Sequence, residues 1–438
     1  MNYLLAEFSD ADEDASVYHL TTESYISIFL WKLLNAQDEV RVKLMKTNCE
    51  CLTTVPVSFD GIEHEVNEES RDRKLPMLEL DGCHNVVGLC SVLRSICRLM
   101  KQSPSGALAT QLLGFKENCL MSPSEISSWT NFCEREMVEC AETLLTLVDT
   151  GENKFPLEMI KLERDLANPV RVHNVYKIAR DTKRDQSIKS GTEIDIEHKY
   201  CHGSEVNLSD VILYSIYKLI FTSSVDVRDV KDIIPLTIKW FNNMEDAENV
   251  KEIYELLRRK TAQPKQRQVM FSGEIPKVNE DGKYFSLFKR ELTGYKGKNR
   301  KLFTDQTEVD AVLGKLKTLN IEIGSEPGDS NQDAINDDYV SELLKCGELP
   351  IQRLERKKSQ LKSLTNEVLK IAQPGDVIVD FCSGTGHLGF LIAKLLPKCR
   401  IIVLENKEES INRAKIKAKT LELFNVTFYQ CNLVSWFC

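Results

Sequence analysis

The spacing of hydrophobic residues changes twice along the chain. Between residues 16 and 100, β-branched runs alternate with apolar stretches of helical length, which predicts a small α/β unit. From residue 105 to residue 262, apolar residues recur at helical spacing, which predicts an all-α domain. Near the carboxy terminus, short apolar strands separated by a glycine-rich turn and an amphipathic helix return, which indicates a second α/β unit.

Single segments predict the elements of the two amino-proximal units. The predicted strands of the first unit are "SVYHL", "EVRVKLMKT", "LPMLELDG" and "HNVVG", and its predicted helices are "TESYISIFLWKLLNA" and "LCSVLRSICRLMKQ". The predicted helices of the second are "SEISSWTNFCEREMVECAETLLTLV", "FPLEMIKLERDL", "SDVILYSIYKLIF", "PLTIKWFNNM" and "VKEIYELLRR".

Two polar stretches interrupt this order. Residues 176–205 are rich in mixed charges and read as an insertion loop, and residues 262–345 contain only one convincing helix, "TEVDAVLGKLKTL". The predicted organisation is therefore an α/β unit at 1–104, a helical domain at 105–262, a partly structured linker at 263–345 and a second α/β unit at 346–438.

Composition narrows the class of protein. The 438 residues carry a formal net charge of −9, which argues against a chain that coats nucleic acid by bulk electrostatics. The acidic amino terminus and the short apolar run "YISIFLWKLL", which contains Lys32, indicate neither export nor a membrane span. The 14 cysteines include no CxxC pair, so we expect free thiols in a cytoplasmic protein.

One cluster of metal-ligating residue types lies within the polar stretch at 176–205. His198, Cys201 and His202 are close in sequence, but a fourth ligand is not evident. We therefore predict no metal site.

The segment "VIVDFCSGTGHLGF" at 377–390 predicts a strand, a tight turn and the start of a helix. Asp380 ends the strand, and Gly384 and Gly386 allow the backbone to approach a ligand. A dinucleotide-binding unit usually ends this strand with an apolar residue or glycine, so the carboxylate favours the first motif of S-adenosylmethionine-dependent methyltransferases. In that motif the carboxylate faces the methionine end of S-adenosylmethionine. Cys382 stands where that motif commonly has a glycine.

Two later positions complete the predicted cofactor site. A second strand ends at Glu405, about 20 positions after the glycines, where an acid can bind ribose hydroxyls. Both kinds of cofactor contain ribose, so Glu405 does not discriminate between them. A third strand, "NVTFYQCN", ends at Asn432, where methyltransferases often hold the adenine.

The two amino-proximal units resemble the glutathione transferase architecture. Pro76 lies where thioredoxin-like folds place a cis-proline before a strand, and Asn207 and Asp210 have the spacing of a helix capping box, at which the family usually has Ser or Thr followed by Asp. The glutathione-binding pair is replaced by Val87-Gly88. Ser24 and Tyr25 lie near the expected position of the thiol-activating residue but are equally explained as ordinary helix residues.

Nearly the whole chain resembles the glutathione S-transferase C-terminal domain-containing protein family, which couples a transferase-like part to a methyltransferase-like domain. The resemblance is carried by the segments "LLGFKENCL", "PVRVHN", "NLSDVIL", "ERKKSQLKSL", "PGDVIVDFCSGTGHLG" and "LENKEESINRAK". It implies that Cys382 belongs to the family pattern "DFCSG". The implied fold is a thioredoxin-like unit, a helical glutathione transferase C-terminal-like domain and a Rossmann-like methyltransferase domain.

The resemblance also implies that this last domain is incomplete. Methyltransferase sheets of this kind have seven strands in the order 3-2-1-4-5-7-6, and the chain ends after the third. We therefore expect a truncated form that cannot methylate, in which the first strand is an exposed apolar edge.

Two functions remain open at this point. The first is a methyltransferase-family protein with a non-catalytic transferase-like module and an unknown acceptor; the basic "ERKKSQLK" helix would suit RNA, although a solvated face also explains it. The second is a cytosolic interaction protein without catalytic activity, whose helical domain binds a protein partner.

Overall fold

The structure is a computed structural model of the full chain. It describes residues 1–11, 16–46, 54–67, 75–80, 82–114, 117, 119–121, 128–147, 153–167, 198–247, 249–259, 269, 271, 310–311, 314–315, 335, 337–344 and 351–431. The chain divides into two compact units: unit 1 comprises Met1–Lys289 together with Gln373–Cys438, and unit 2 comprises Arg290–Ala372. The predicted insertion loop and linker lie largely outside the described residues.

In the described residues, ten strands of unit 1 form one mixed sheet, whose main path runs β4-β2-β1-β6-β7-β10-β9-β8. β3 pairs with β1 and with β5. The strands are β1 (Asn2–Ala11), β2 (Val17–Leu20), β3 (Val40–Lys46), β4 (Val55–Ser58), β5 (His64–Asn67), β6 (Met77–Leu80), β7 (His84–Val87), β8 (Val377–Phe381), β9 (Arg400–Glu405) and β10 (Val426–Gln430). We call β1–β7 the amino-terminal strands and β8–β10 the carboxy-terminal strands.

The described helices of unit 1 are α1 (Thr22–Leu33), α2 (Leu89–Leu99), α3 (Gly106–Leu112), α4 (Ser128–Asn131), α5 (Met137–Thr146), α6 (Leu157–Ala167), α7 (Leu208–Ser223), α8 (Val227–Val230), α9 (Pro235–Glu245), α10 (Val250–Leu257), α13 (His387–Leu395) and α14 (Glu408–Thr420). Unit 2 contains α11 (Asp337–Leu344), which packs on α12 (Ile351–Ile371). Among the described residues, none of the helices combines the length and the apolar character that a membrane span requires.

The predicted strands and helices that fall on described residues are confirmed, with boundaries shifted by a few residues, whereas the helix "TEVDAVLGKLKTL" lies largely outside the described residues. The short strands β4 and β5 were not predicted. β1 was not predicted, although it is central and pairs with β2, β3 and β6. The adjacent β1 residues Leu4 and Leu5 are both buried: Leu4 lies in the main core cluster with the helices of unit 1, and Leu5 lies in a second apolar cluster with side chains of other strands. A strand buried on both faces loses the alternation from which strands are recognised.

Two local predictions in the amino-proximal half are confirmed. The Leu75-Pro76 peptide bond is cis. At the start of α7, Asn207 accepts from Ser209 N, and Asp210 Oδ2 accepts from Asn207 N at 3.0 Å, which forms the capping box. Asp210 Oδ1 also accepts from Trp240 Nε1 at 2.8 Å. The box therefore ties the start of α7 to α9 through a fully buried carboxylate, and burial raises the pKa of Asp210.

The carboxy-terminal strands continue the amino-terminal sheet. β10 pairs in parallel with β7, with Phe428 opposite His84 and Gln430 opposite Val86, and on its other side β10 pairs in parallel with β9. We call the β7–β10 pairing the junction. The two α/β segments predicted from sequence therefore share one sheet within unit 1. The four-part domain assignment stays a prediction.

Both faces of the sheet are packed at the junction. On one face, Tyr429 and Leu404 lie in one apolar cluster with Met77 and Val87. On the other face, Arg98 of α2 forms an ion pair with Glu408 of α14. The junction is thus a packed part of unit 1.

β8 lies at the free end of this order. In the described part of the chain it pairs with β9 alone, and its residues Val377 and Phe381 are 56% and 41% exposed. The expectation of an exposed apolar edge at this strand is confirmed for the described residues.

Removing a buried aromatic side chain at the junction should destabilise unit 1. Tyr429 is 2% exposed, so we expect Tyr429→Ala to lower the free energy of unfolding by about 3 kcal/mol. Phe424→Ala, just before the same strand, is the matched control because Phe424 is 93% exposed and should change stability by less than about 0.5 kcal/mol. Urea unfolding measures both, and equal losses for the two variants would contradict a packed junction.

His84 should make stability depend on pH. It is 3% exposed on β7, and Lys415 Nζ lies 3.2 Å from its Nδ1. Burial, and secondarily the Lys415 charge, lowers the pKa of His84 to about 3, whereas an unfolded histidine titrates near 6.5. The stability gained by burying His84 in its neutral form is fully present above pH 6.5 and is lost as the pH falls towards 3.

Between pH 7.5 and pH 5 we expect the parent to lose about 2 kcal/mol more free energy of unfolding than His84→Gln, since other buried groups such as His202 titrate in both proteins. Urea unfolding at the two pH values measures it in both proteins. A Gln variant as acid-sensitive as the parent would show that His84 is not the group responsible.

Candidate functional site

The glycine-rich turn between β8 and α13 exposes its backbone. Gly384 and Gly386 have φ values of +61° and +78°, a region that L-residues rarely adopt. A Cβ on Gly384 would meet nothing within 4 Å, whereas one on Gly386 would lie 2.6 Å from the Phe390 ring. Gly384 therefore leaves room for a ligand beside the backbone, and Gly386 allows the turn to pack on α13.

Cys382 occupies a glycine-like position. Cys382 follows directly after β8, is exposed, and has a φ of +54°. The structure thus gives a backbone reason why related motifs often have glycine here.

The Asp380 carboxylate binds the start of α13. Its Oδ2 accepts from Gly389 N at 3.0 Å, and a Cβ on Gly389 would lie 3.0 Å from Val403 Cγ2 and 3.2 Å from Asp380 Oδ2. Sequence reasoning did not assign Gly389, although it is the third glycine of G-x-G-x-x-G. Its lack of a side chain lets helix and strand approach closely.

Glu405 connects the turns that follow β8 and β9. Its Oε2 accepts from Gly384 N at 2.8 Å, and its Oε1 accepts from Asn406 N and Lys407 N, each at 3.0 Å. A carboxylate has about four acceptor sites, so three bonds leave capacity for one more donor, such as a ribose hydroxyl. The structure brings together Asp380, Cys382, Gly384, Gly386 and Glu405, and these residues fit the proposed cofactor. Asn432 lies outside the described residues.

The residues near the expected thiol-activating position are used in packing. Ser24 Oγ accepts from Glu7 N at 2.8 Å, which holds α1 on β1. Tyr25 is fully buried. Val87-Gly88, at the expected glutathione-binding pair, offers no polar side chain.

His198, Cys201 and His202 make separate contacts. His198 Nδ1 lies 3.3 Å from Tyr200 O, Cys201 N donates to Asp210 Oδ1, and His202 Nε2 lies 2.8 Å from Ser209 Oγ. Burial, and secondarily His198, lowers the pKa of His202 to about 4. Within the described ranges, no group of three or more His, Cys, Asp or Glu residues has metal-binding geometry.

Residues 372–435 match a family model described as "Methyltransferase domain". Among curated proteins, a "Glutathione S-transferase C-terminal domain-containing protein homolog" of Drosophila pseudoobscura pseudoobscura is 33% identical over 465 aligned residues, covering 98% of this chain and 75% of the relative. The homolog of Drosophila melanogaster is 33% identical over 471 aligned residues, covering 99% of this chain and 76% of the relative. The Xenopus laevis "Glutathione S-transferase C-terminal domain-containing protein" is 28% identical over 430 aligned residues, covering 83% of this chain and 67% of the relative.

Two solved methyltransferase structures share partial similarity. Coclaurine N-methyltransferase bound to N-methylheliamine and SAH is 14% identical, covers 29% of this chain and 44% of that chain, and gives a TM-score of 0.17. A SAM-dependent methyltransferase from Aquifex aeolicus is 23% identical. The match covers 17% of this chain and 46% of that chain and gives a TM-score of 0.14.

Replacing Cys382 by glycine should stabilise the turn. Glycine adopts the left-handed conformation without the Cβ penalty, so we expect Cys382→Gly to raise the free energy of unfolding by about 0.5 to 1 kcal/mol after its larger loss of backbone entropy. Cys382→Ala is the control, because it removes the thiol but keeps Cβ and should not stabilise. Urea unfolding separates the two, and an equal gain with alanine would disprove the backbone explanation.

The two turn glycines should differ in their tolerance of alanine. Both have positive φ, so both alanine variants share that conformational cost. Gly386→Ala should cost about 1 to 3 kcal/mol more than Gly384→Ala, because its Cβ overlaps the fully buried Phe390 ring. Thermal unfolding measures the difference. The double variant Gly386→Ala/Phe390→Leu should recover part of the loss, and no recovery would exclude the ring overlap as its cause.

Proposed function

Because the chain belongs to the glutathione S-transferase C-terminal domain-containing protein family, we propose that its carboxy-terminal strands form an S-adenosylmethionine site. The proposed activity is methyl transfer to an acceptor whose identity is open. The proposed amino-proximal architecture is a thioredoxin-like unit with a helical glutathione transferase C-terminal-like domain, which does not conjugate glutathione.

The contact that carries the proposal is the one between Glu405 and Gly384 N. It fixes the end of β9 against the turn after β8, so an acid and an open glycine backbone lie at one edge of parallel strands. Ligands of open α/β sheets bind outside the carboxyl ends of the strands. This supports a cofactor that contains both a ribose and a group placed beside Gly384.

Asp380 favours S-adenosylmethionine over a dinucleotide. A negative charge at the end of β8 opposes a bound pyrophosphate, whereas it attracts the ammonium of a methionine moiety. The bound cofactor would supply an electrophilic methyl group. The chain would orient it through Gly384, Gly386 and Glu405, with the backbone turn preset by Cys382 and the Asp380–Gly389 bond.

The amino-proximal half supports a second candidate, an interaction module without catalysis. Ser24 is bonded to the backbone of β1, Tyr25 is buried, and Val87-Gly88 replaces a polar pair, so glutathione conjugation lacks its usual groups. A cytoplasmic location and a protein partner at the helical domain belong to this candidate as proposals.

The support for RNA as a candidate methyl acceptor comes from the basic residues of α12. Arg356 and the lysines at 357, 358 and 362 give this helix of unit 2 a local excess of positive charge. A solvated helix face has the same composition, so acceptor identity needs a separate screen.

Calorimetric titration with S-adenosylhomocysteine and with NAD tests the proposal. We expect S-adenosylhomocysteine alone to bind. Asp380→Asn should weaken it at least about tenfold, because an amide keeps an oxygen for Gly389 N–H but loses the charge that attracts an ammonium.

Asp376→Asn is the matched control at the opposite end of β8. Asp376 Oδ2 accepts from Gln373 N, and the residue is exposed, so the affinity should not change. Binding of neither ligand would favour the interaction module, and binding of NAD alone would favour a dinucleotide site.

A further inference from the structure

A cavity of about 360 Å³ opens in unit 1 beside the last turn of α1. It lies between Leu33 at the end of α1, the helix α3, the start of α10 and the segment 199–206. Ser24 and Tyr25, near the expected thiol-activating position, belong to the first turn of α1 and do not line the cavity. At 1.5 Å per residue, Tyr25 and Leu33 are about 12 Å apart along the helix, so this cavity is distinct from the transferase-like position.

Two side-chain hydrogen bonds fix the wall formed by residues 199–206. Asn243 of α9 donates from Nδ2 to Lys199 O at 3.0 Å, and Gln111 of α3 donates from Nε2 to Val206 O at 3.3 Å. Both ends of the wall are therefore tied to helices. Because the cavity is formed before a ligand arrives, binding there costs little ordering entropy.

The interior of the cavity is apolar. Leu108, Val206 and Ala247 are half-buried, pack against the main core cluster and line the cavity, and the mostly buried Leu33 and Tyr200 complete the apolar lining. A volume of about 300 to 1,000 Å³ with such a lining is typical of small-molecule sites. The interior therefore suits an apolar body about as large as a ring with a short alkyl chain.

The exposed part of the lining is polar, and we call its residues the rim: Gln111, Lys199, Ser204, Glu205 and Asp246. Two carboxylates and one ammonium give the rim a formal charge of −1, within a chain of net charge −9.

The carboxylates of the rim are the groups available to a ligand. Within the described part of the chain, the side chains of Glu205 and Asp246 form no hydrogen bond or ion pair, whereas Lys199 Nζ lies 5.3 Å from the centre of the Tyr200 ring. Two carboxylates at the edge of an apolar cavity attract a cation and repel an anion. The rim therefore selects for positive charge.

We propose that this cavity binds small amphipathic amines. The apolar body of the ligand fills the interior, and its terminal ammonium lies at the rim, where Glu205 and Asp246 stabilise it. The interior disfavours amines that lack an apolar body, and the rim disfavours apolar anions. The site is separate from the proposed S-adenosylmethionine site, so the failure of one proposal leaves the other intact.

Ligand-detected NMR titration with 4-phenylbutylamine and 4-phenylbutyrate tests the charge preference. The two probes share a phenyl ring and a chain of similar length but carry opposite charges. A ligand of this size should bind with a Kd of about 1 mM, and we expect the amine to bind at least about tenfold more tightly than the carboxylate. Equal affinities, or no binding of the amine up to about 10 mM, would overturn the proposal.

A larger side chain at Ala247 tests the interior. Ala247→Trp adds volume at a half-buried position of the lining, so amine binding should fall at least about tenfold. Thermal unfolding of the variant shows whether the fold is retained. A folded variant that binds the amine as the parent does would place the ligand outside this cavity.

Neutralising the rim tests the carboxylates without altering the core. Glu205→Gln/Asp246→Asn changes two exposed residues and should reduce the preference for the amine to less than about threefold. Glu252→Gln/Glu255→Gln is the matched control, because it removes two charges from exposed positions of α10 outside the lining and should retain the preference. An unchanged preference in the rim variant, or an equal loss in the control, would contradict recognition by Glu205 and Asp246.

Discussion

The parallel pairing of β7 with β10 is the contact on which the architecture of unit 1 depends. Unpaired, each of these strands would present a row of free backbone donors and acceptors at a sheet edge. Paired, they merge two α/β segments from opposite ends of the chain into one sheet; the in-register residues Val86 and Gln430 are 430 − 86 = 344 positions apart. Tyr429 then packs with amino-terminal side chains on one face, while the Arg98–Glu408 ion pair joins helices on the other. Long-range β pairing of this kind is costly in chain entropy, so apolar burial on the sheet must offset it.

The same pairing orients the candidate site. Because β7 and the carboxy-terminal strands are parallel, their carboxyl ends lie at one edge of the sheet, where the candidate site residues also lie. At this edge the carboxylates of Glu405 and Asp380 accept hydrogen bonds from the protein's own backbone amides. Glu405 holds three backbone amides and Asp380 holds Gly389 N, so the turns are ordered before a ligand arrives. Preordered groups lose less entropy on binding.

Side chains singled out in the amino-proximal half serve local structure and packing. The Leu75-Pro76 bond is cis, and the Asn207–Asp210 capping box holds the start of α7. Ser24 is bonded to the backbone of β1, Tyr25 is fully buried, and Val87-Gly88 has no polar side chain. A fold does not by itself specify a reaction, so function has to be argued from the residues at the carboxyl edge of the sheet.

The sequence by itself determined the elements that depend on local periodicity and turn chemistry: the strands and helices with regular spacing, the capping box at Asn207, and the strand, turn and helix around Gly384. These follow from interactions within a few residues, which hydrophobic pattern and glycine positions encode directly. Tertiary structure alone decided the rest. β1 is buried on both faces and so lacks alternation, Glu405 binds three backbone amides, and β10 pairs with β7 of the amino-terminal strands. Strand pairing across long sequence separation leaves no local signal, because the partner that gives each residue its environment lies elsewhere in the chain.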